Sequence, residues 1–255
     1  MKISQRALGL TTSPIRKLAP YANEAIRAGK KIYHLNIGQP DIPTSPKFMD
    51  AIRAFNDKVI AYGASQGDPA LIRAIQRYYA GWGMEFAEKH IYITNGGSEA
   101  LEFAALSLCD PGEELLVFEP YYANYSSFGK LAGAEIKAVP TSAEDGYRLP
   151  EEEEIEKYIT DKTRAILLTN PGNPTGVVYD KQEMDRVVRL VTKYDLALIA
   201  DEVYREFVYD GDYTSFGTYK EIEQNLILID SVSKRYSACG ARIGCIISKN
   251  EELCA

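Results

Sequence analysis

The chain has 255 residues, 45% of them hydrophobic and 25% charged, enough for one large core with at most a small appendage. A formal net charge of −7 argues against nucleic-acid backbones and anionic membranes as partners, while leaving room for a small anion at a helix N-terminus. The opening MKISQRALGL lacks the apolar stretch of a signal peptide and no run is long enough to cross a bilayer, so a cytoplasmic protein is the default.

Ser13-Pro14 reads as a helix start and Gly29 as its stop. The segment LNIGQPDIPT (35–44) then breaks regular structure with Gly38, Pro40 and Pro43. Helices are expected over 45–55 and over 69–80, the second opened by Asp68-Pro69. From residue 90 short apolar or β-branched runs recur at 90–94, 114–118, 134–139, 164–169, 196–200, 226–230 and 242–247. Helical spacing fills 98–108 (Leu101, Ala104, Ala105, Leu108) and 181–194 (Met184, Val187, Val188, Val191). Alternating strands and helices predict an α/β fold: a mainly parallel seven-stranded sheet flanked by helices, behind an N-terminal helical arm. The runs LLVF, AILL and LALIA are continuously apolar, as strands buried on both faces are. The acidic run 151–154 after Pro150 reads as a solvated first helical turn. Cys109, Cys239, Cys245 and Cys254 form no C-x-x-C pair and there are two histidines, a pattern of free thiols rather than of disulfides or a metal site.

Ligands of open α/β sheets bind beyond the carboxyl ends of the strands, so the residues that follow each run bear on function. They are EPYYANY (119–125), NPGNPTG (170–176), DEVY (201–204) and SVSK (231–234), all rich in polar, aromatic or turn-forming side chains. TNGGSEAL (94–101) puts two glycines and a serine between a strand and a helix. The amides of Gly97 and Ser98 would then lie at a helix N-terminus, where an anion is favoured, though an ordinary N-cap fits that segment equally well. In SVSKRYSACGARIG (231–244) Lys234 follows a strand among small residues that let a ligand approach, and Arg242 lies eight positions on. A lysine withdrawn from water is a nucleophile able to bond a carbonyl carbon.

The pattern S-x-S-K-x-Y-S-x-x-G-x-R-x-G resembles the cofactor-lysine signature of the class I aminotransferases, enzymes that use pyridoxal 5'-phosphate (PLP). NPGNPTG followed by ADEVY is similar to that family's second signature. The likeness runs from about Ser13 to about Ile247, with the motifs in the family's order. It implies that Lys234 bonds the cofactor and later moves the substrate proton, and that Asp201 pairs with the pyridine nitrogen. Tyr204 and Asn173 would hydrogen-bond the ring's phenolic oxygen. Taken alone, Asp201, Asn173 and Tyr204 have plain readings as a cap, a turn residue and a core tyrosine. Tyr122 matches the aromatic that stacks on the cofactor ring, a place where many members carry tryptophan; Tyr121 competes for it. Gly97, Ser98, Ser231 and Arg242 would seat the phosphate. Gly38, with Tyr122 and Asn173, would border the substrate, and Tyr62 would reach the phosphate held by a neighbouring subunit, making the working unit a homodimer.

The implied reaction moves an amino group between an amino acid and a 2-oxo acid. A β-elimination lyase or decarboxylase on the same fold is the alternative, and a PLP-binding sensor domain is a third reading. Members of the family continue into a smaller domain that supplies a carboxylate-binding arginine. The expected division is therefore 1–44 as an arm with part of that small domain and 45–255 as the PLP-binding large domain. The C-terminal small domain is expected to lie outside this chain.

Overall fold

A computed structural model describes residues 1–10 and 16–255. The helix start expected at Ser13-Pro14 lies outside the described residues. Short helix α1 (Gln5–Leu8) is followed, after a 3-10 turn at Arg16–Leu18, by α2 (Ala19–Arg27), with Pro20 in its first turn. Helix α3 (Pro46–Ala54) also opens on a proline, and α4 (Pro69–Ala80) is capped by Asp68, which accepts from the amides of Ala70 at 2.7 Å and Leu71 at 3.1 Å. None of α1, α2 and α3 has a buried residue.

The seven apolar runs form one sheet: β1 (Ile91–Thr94), β2 (Glu114–Glu119), β3 (Glu135–Pro140), β4 (Thr163–Thr169), β5 (Ala197–Asp201), β6 (Leu226–Ser231) and β7 (Gly244–Ser248). Strand order is β1-β7-β6-β5-β4-β2-β3. Strands β2 to β6 run parallel, and β7 lies antiparallel to both of its neighbours. The last run begins two residues later than its composition suggests, because Arg242 takes a left-handed conformation (φ 53°) that ends the preceding loop.

Alternate strand residues feed two cores, as the two-residue side-chain period requires. On one face Leu116, Ile166, Leu198 and Leu228 meet Met184, Val187 and Val191 of α8 (Lys181–Tyr194) and Ile72 and Tyr79 of α4. On the other, Leu115, Ala165, Ile199 and Ile227 meet Leu101, Ala104 and Ala105 of α5 (Gly97–Leu108). Two further helices lie between strands, α6 (Asn124–Ala132) and the short α7 (Glu152–Glu156).

Helix α6 has no clear signal in the sequence, since NYSSFGKLA carries two serines and a mid-helix glycine. Gly129 is needed because a Cβ there would meet Ile136 Cδ1 at 2.9 Å. The acidic run is exposed as its composition suggests, with only Glu152 of the four half-buried. Glu151 pairs with Arg186 and Glu152 with Arg189, tying the start of α7 to α8. Cys109 and Cys245 are buried and Cys239 and Cys254 half-buried, all four as free thiols. No helix among the described residues is long and apolar enough to cross a membrane.

Candidate active site

Three adjacent parallel strands deliver the central residues. Thr169 at the end of β4 sits opposite Asp201 at the end of β5, and Asp201 sits opposite Ile229 of β6, two residues before Ser231. Past β6 the chain turns sharply, and Lys234 projects back over this edge. Its Nζ donates to the Gly38 carbonyl at 2.6 Å and lies 5.7 Å from the centre of the Tyr204 ring. Lys234 and Gly38, 196 positions apart, are thus brought together. Tyr204 in turn receives a long hydrogen bond, 3.4 Å, from Asn173 Nδ2. Burial and the nearby Asp201 carboxylate push the Tyr204 phenol up to about 12, so it keeps its proton at neutral pH.

Asp201 is buried, and loss of water pushes its carboxyl up to about 6 against the hydrogen bonds that favour the anion. Its Oδ2 accepts from the Tyr125 hydroxyl at 2.8 Å and its Oδ1 from the Val203 amide at 3.4 Å. Tyr122 belongs to the same cluster: its ring stands edge-on to Tyr125 at 5.5 Å, and its hydroxyl accepts from Asn124 Nδ2 at 2.8 Å. Tyr121 stacks on Tyr125 at 6.4 Å, with ring planes 7° apart.

The second cluster joins β1 to β7. Gly96 caps α5 with φ +80°, and Gly97 and Ser98 occupy the first two positions of the helix, where amides lack partners within the helix. A Cβ on Gly97 would lie 3.9 Å from Ser231 Cβ, so Ser231 borders the same helix start. Arg242 Nη2 donates to the Asn95 carbonyl at 3.3 Å and Nη1 to the Cys239 carbonyl at 3.2 Å, which lays the guanidinium along Gly96. A helix N-terminus and an arginine thus meet at one point, a favourable seat for a phosphate. Tyr62 stays apart from both clusters in this chain, fully exposed to solvent.

The sequence reading missed a buried charge network beneath Lys234. Arg235 pairs with Asp230, and Tyr79 donates to Asp230 at 3.0 Å. The fully buried Arg205 donates to the Tyr79 hydroxyl at 2.9 Å and pairs with Glu202 at 3.1 Å. The Arg235 guanidinium also lies 4.1 Å from the centre of the Tyr78 ring. Arg235 is thus held by Asp230 and Tyr78, while its neighbour Lys234 reaches Gly38 and Tyr204. A tertiary network of this kind has no local sequence signature.

The donor set suits PLP on the geometry of the chain itself: an amine, a buried carboxylate, two hydrogen-bond donors for a ring oxygen and a helix-terminal anion seat. An α/β domain with a lysine at the carboxyl edge of a mainly parallel sheet is the class that fold and site define. The chain belongs to the aminotransferase class I and II family, whose model matches residues 30–255. It is 32% identical to the aspartate aminotransferase of Thermotoga maritima over 251 residues, covering 98% of this chain and 66% of that protein. With the aspartate/prephenate aminotransferase of Thermus thermophilus it shares 29% over 244 residues, 95% of this chain and 63% of that protein. Among solved structures, the Thermotoga maritima aspartate aminotransferase superposes with a TM-score of 0.92 over 98% of this chain and 67% of its own. An alanine aminotransferase from Pyrococcus furiosus, 31% identical, gives 0.90 over 99% of this chain and 66% of its own. The chain thus spans about two thirds or less of the length of these curated relatives.

Proposed function

We propose that this chain carries the PLP-binding part of an aminotransferase that moves an amino group between an amino acid and a 2-oxo acid, with residues 45–255 as the cofactor domain. The observation that carries the reading is the convergence of Lys234, Tyr204 and Asn173 beside the buried Asp201 at adjoining strand ends. When bound, PLP supplies an electron sink for the substrate α-carbon. The work left to the protein is positioning and proton handling. Lys234 would hold the cofactor through its amine and, when that amine is free, would move the proton at the substrate α-carbon. Asp201 keeps a proton on the pyridine nitrogen, and that cation favours the ionised carboxylate which burial alone disfavours. Tyr204 and Asn173 donate to the phenolic oxygen; the amides of Gly97 and Ser98, with Ser231 and Arg242, hold the phosphate. Tyr122 covers the ring, and Gly38 and Asn173 border the substrate.

In this reading the working unit is a homodimer in the cytoplasm. Full exposure of Tyr62, beside exposed Val59 and Ile60, supports the dimer, and free thiols suit a reducing compartment. Borohydride treatment of the PLP-loaded protein is expected to leave a cofactor mass tag on Lys234, absent in Lys234→Ala, with amino transfer dependent on an added 2-oxo acid. A tag on another lysine, or ammonia and pyruvate released without an oxo acid, would remove the proposal.

A further inference from the structure

We propose that Tyr125, itself oriented by Thr169, is a positioning residue that aims the Asp201 carboxylate and holds it ionised toward the cofactor; this rests on the functional reading above. Tyr125 lies in the first turn of α6, buried to 1% exposure, and its hydroxyl crosses to the ends of two neighbouring strands. It is 2.8 Å from Asp201 Oδ2 and 2.5 Å from Thr169 Oγ1. Thr169 and Asp201 are register partners on β4 and β5, so one phenol bridges both strand tips. The ring has little freedom, being stacked against Tyr121 and met edge-on by Tyr122.

Counting hydrogens fixes the direction of this chain. The phenol has one proton, and an ionised Asp201 is an acceptor only. With the carboxylate ionised, Tyr125 must therefore donate to Asp201 and Thr169 must donate to Tyr125. The opposite direction would set a phenolic lone pair against a carboxylate lone pair in a buried place. Burial also pushes the Tyr125 phenol upward, so the donor keeps its proton throughout the neutral range. Asp201 Oδ2 is committed to this phenol, whereas among the described residues Oδ1 takes only the long Val203 bond. Tyr125 thereby selects which carboxylate oxygen serves the ring nitrogen. A hydrogen bond to the charged form opposes the desolvation that raises the Asp201 carboxyl.

Infrared difference titration of the cofactor-free protein reads this directly, with the protonated-carboxyl band assigned by its loss in Asp201→Asn. In Tyr125→Phe the midpoint of that band is expected to move up by about one pH unit, a tenfold loss of preference for the anion. Thr169→Val, which keeps the phenol but removes its own donor, is expected to shift it the same way by less. The acid limb of the transfer reaction should move with it. A midpoint unchanged in both folded variants overturns the role of Tyr125, even where borohydride still tags Lys234 in the wild type. A wild type that carries no tag sinks the aminotransferase reading instead, while the infrared shift still decides the Tyr125 contact.

Discussion

Asp201 shows how a single side chain can work against the fold that holds it. Its carboxyl is pushed from 3.8 to about 6 by burial, so the folded protein binds this proton more tightly than the unfolded chain does. The associated stability is fully present below the ordinary aspartate range and is lost as pH rises through about 6. Removing the titration should recover what is lost. Cofactor-free Asp201→Asn is expected to gain on the wild type between about pH 4 and about pH 6, then hold a lead of up to about 3 kcal/mol. Thermal unfolding across that range checks this; a constant difference between the two proteins contradicts it. The residues that do chemistry in this reading, Lys234, Asp201, Asn173 and Tyr204, were legible because each sits in a short motif just past an apolar run. Tyr125 was not, although it closes the motif EPYYANY. Its importance comes from two hydroxyl contacts, to residues 44 and 76 positions away, and periodicity carries no record of those.

At the scale of elements, the proposed phosphate seat is a contact between two backbones. A Cβ on Gly244 of β7 would stand 2.6 Å from the Gly97 amide nitrogen and 2.9 Å from the Asp230 carbonyl oxygen, both main-chain atoms that cannot swing aside. Gly244→Ala is therefore expected to cost about 2–3 kcal/mol in stability and to weaken PLP binding by displacing the first amide of α5. Gly240→Ala, with nothing within 4 Å of the new methyl, serves as a control that should leave both unchanged. Chemical denaturation and cofactor titration of the two variants check the contrast. Strands β2, β4 and β5 were legible because a strand covered on both faces must be apolar throughout, whereas the edge strand β3, with Lys137 in its middle, was legible from its β-branched residues. Helix α6 escaped notice because its glycine answers to Ile136 on β3 rather than to the helix's own preferences. The pairing of α7 with α8 was equally hidden, since an acidic run declares its charge and not its partners.

For the whole molecule, the described N-terminal residues carry much of the exposed apolar surface. Tyr33 is 70% exposed, Leu35 95%, Ile60 89% and Tyr62 107%, a density that isolated proteins seldom leave in water. The proposed dimer gives this a sharp test. If Tyr62 serves the partner's phosphate, Tyr62→Ala and Lys234→Ala fall in the same site of a mixed dimer and leave its other site whole. Combining the two variants should regenerate one intact site per hybrid, about a quarter of all sites at equal mixing. Initial rates above those of either variant alone are expected; rates no higher than their average contradict a shared site.

The place of β1 in the sheet has a consequence in time. Its ladder neighbour is β7, and Arg242 grips the Asn95 carbonyl from 147 positions further along the chain. A ribosome therefore releases the glycine turn long before the strand and arginine that complete it. Pairing across such a span is intrinsically slow. A growing chain can collapse around its central parallel strands while its anion seat is still half built, so vitamin-derived ligand captured during synthesis would have to wait for β7 to thread between β1 and β6.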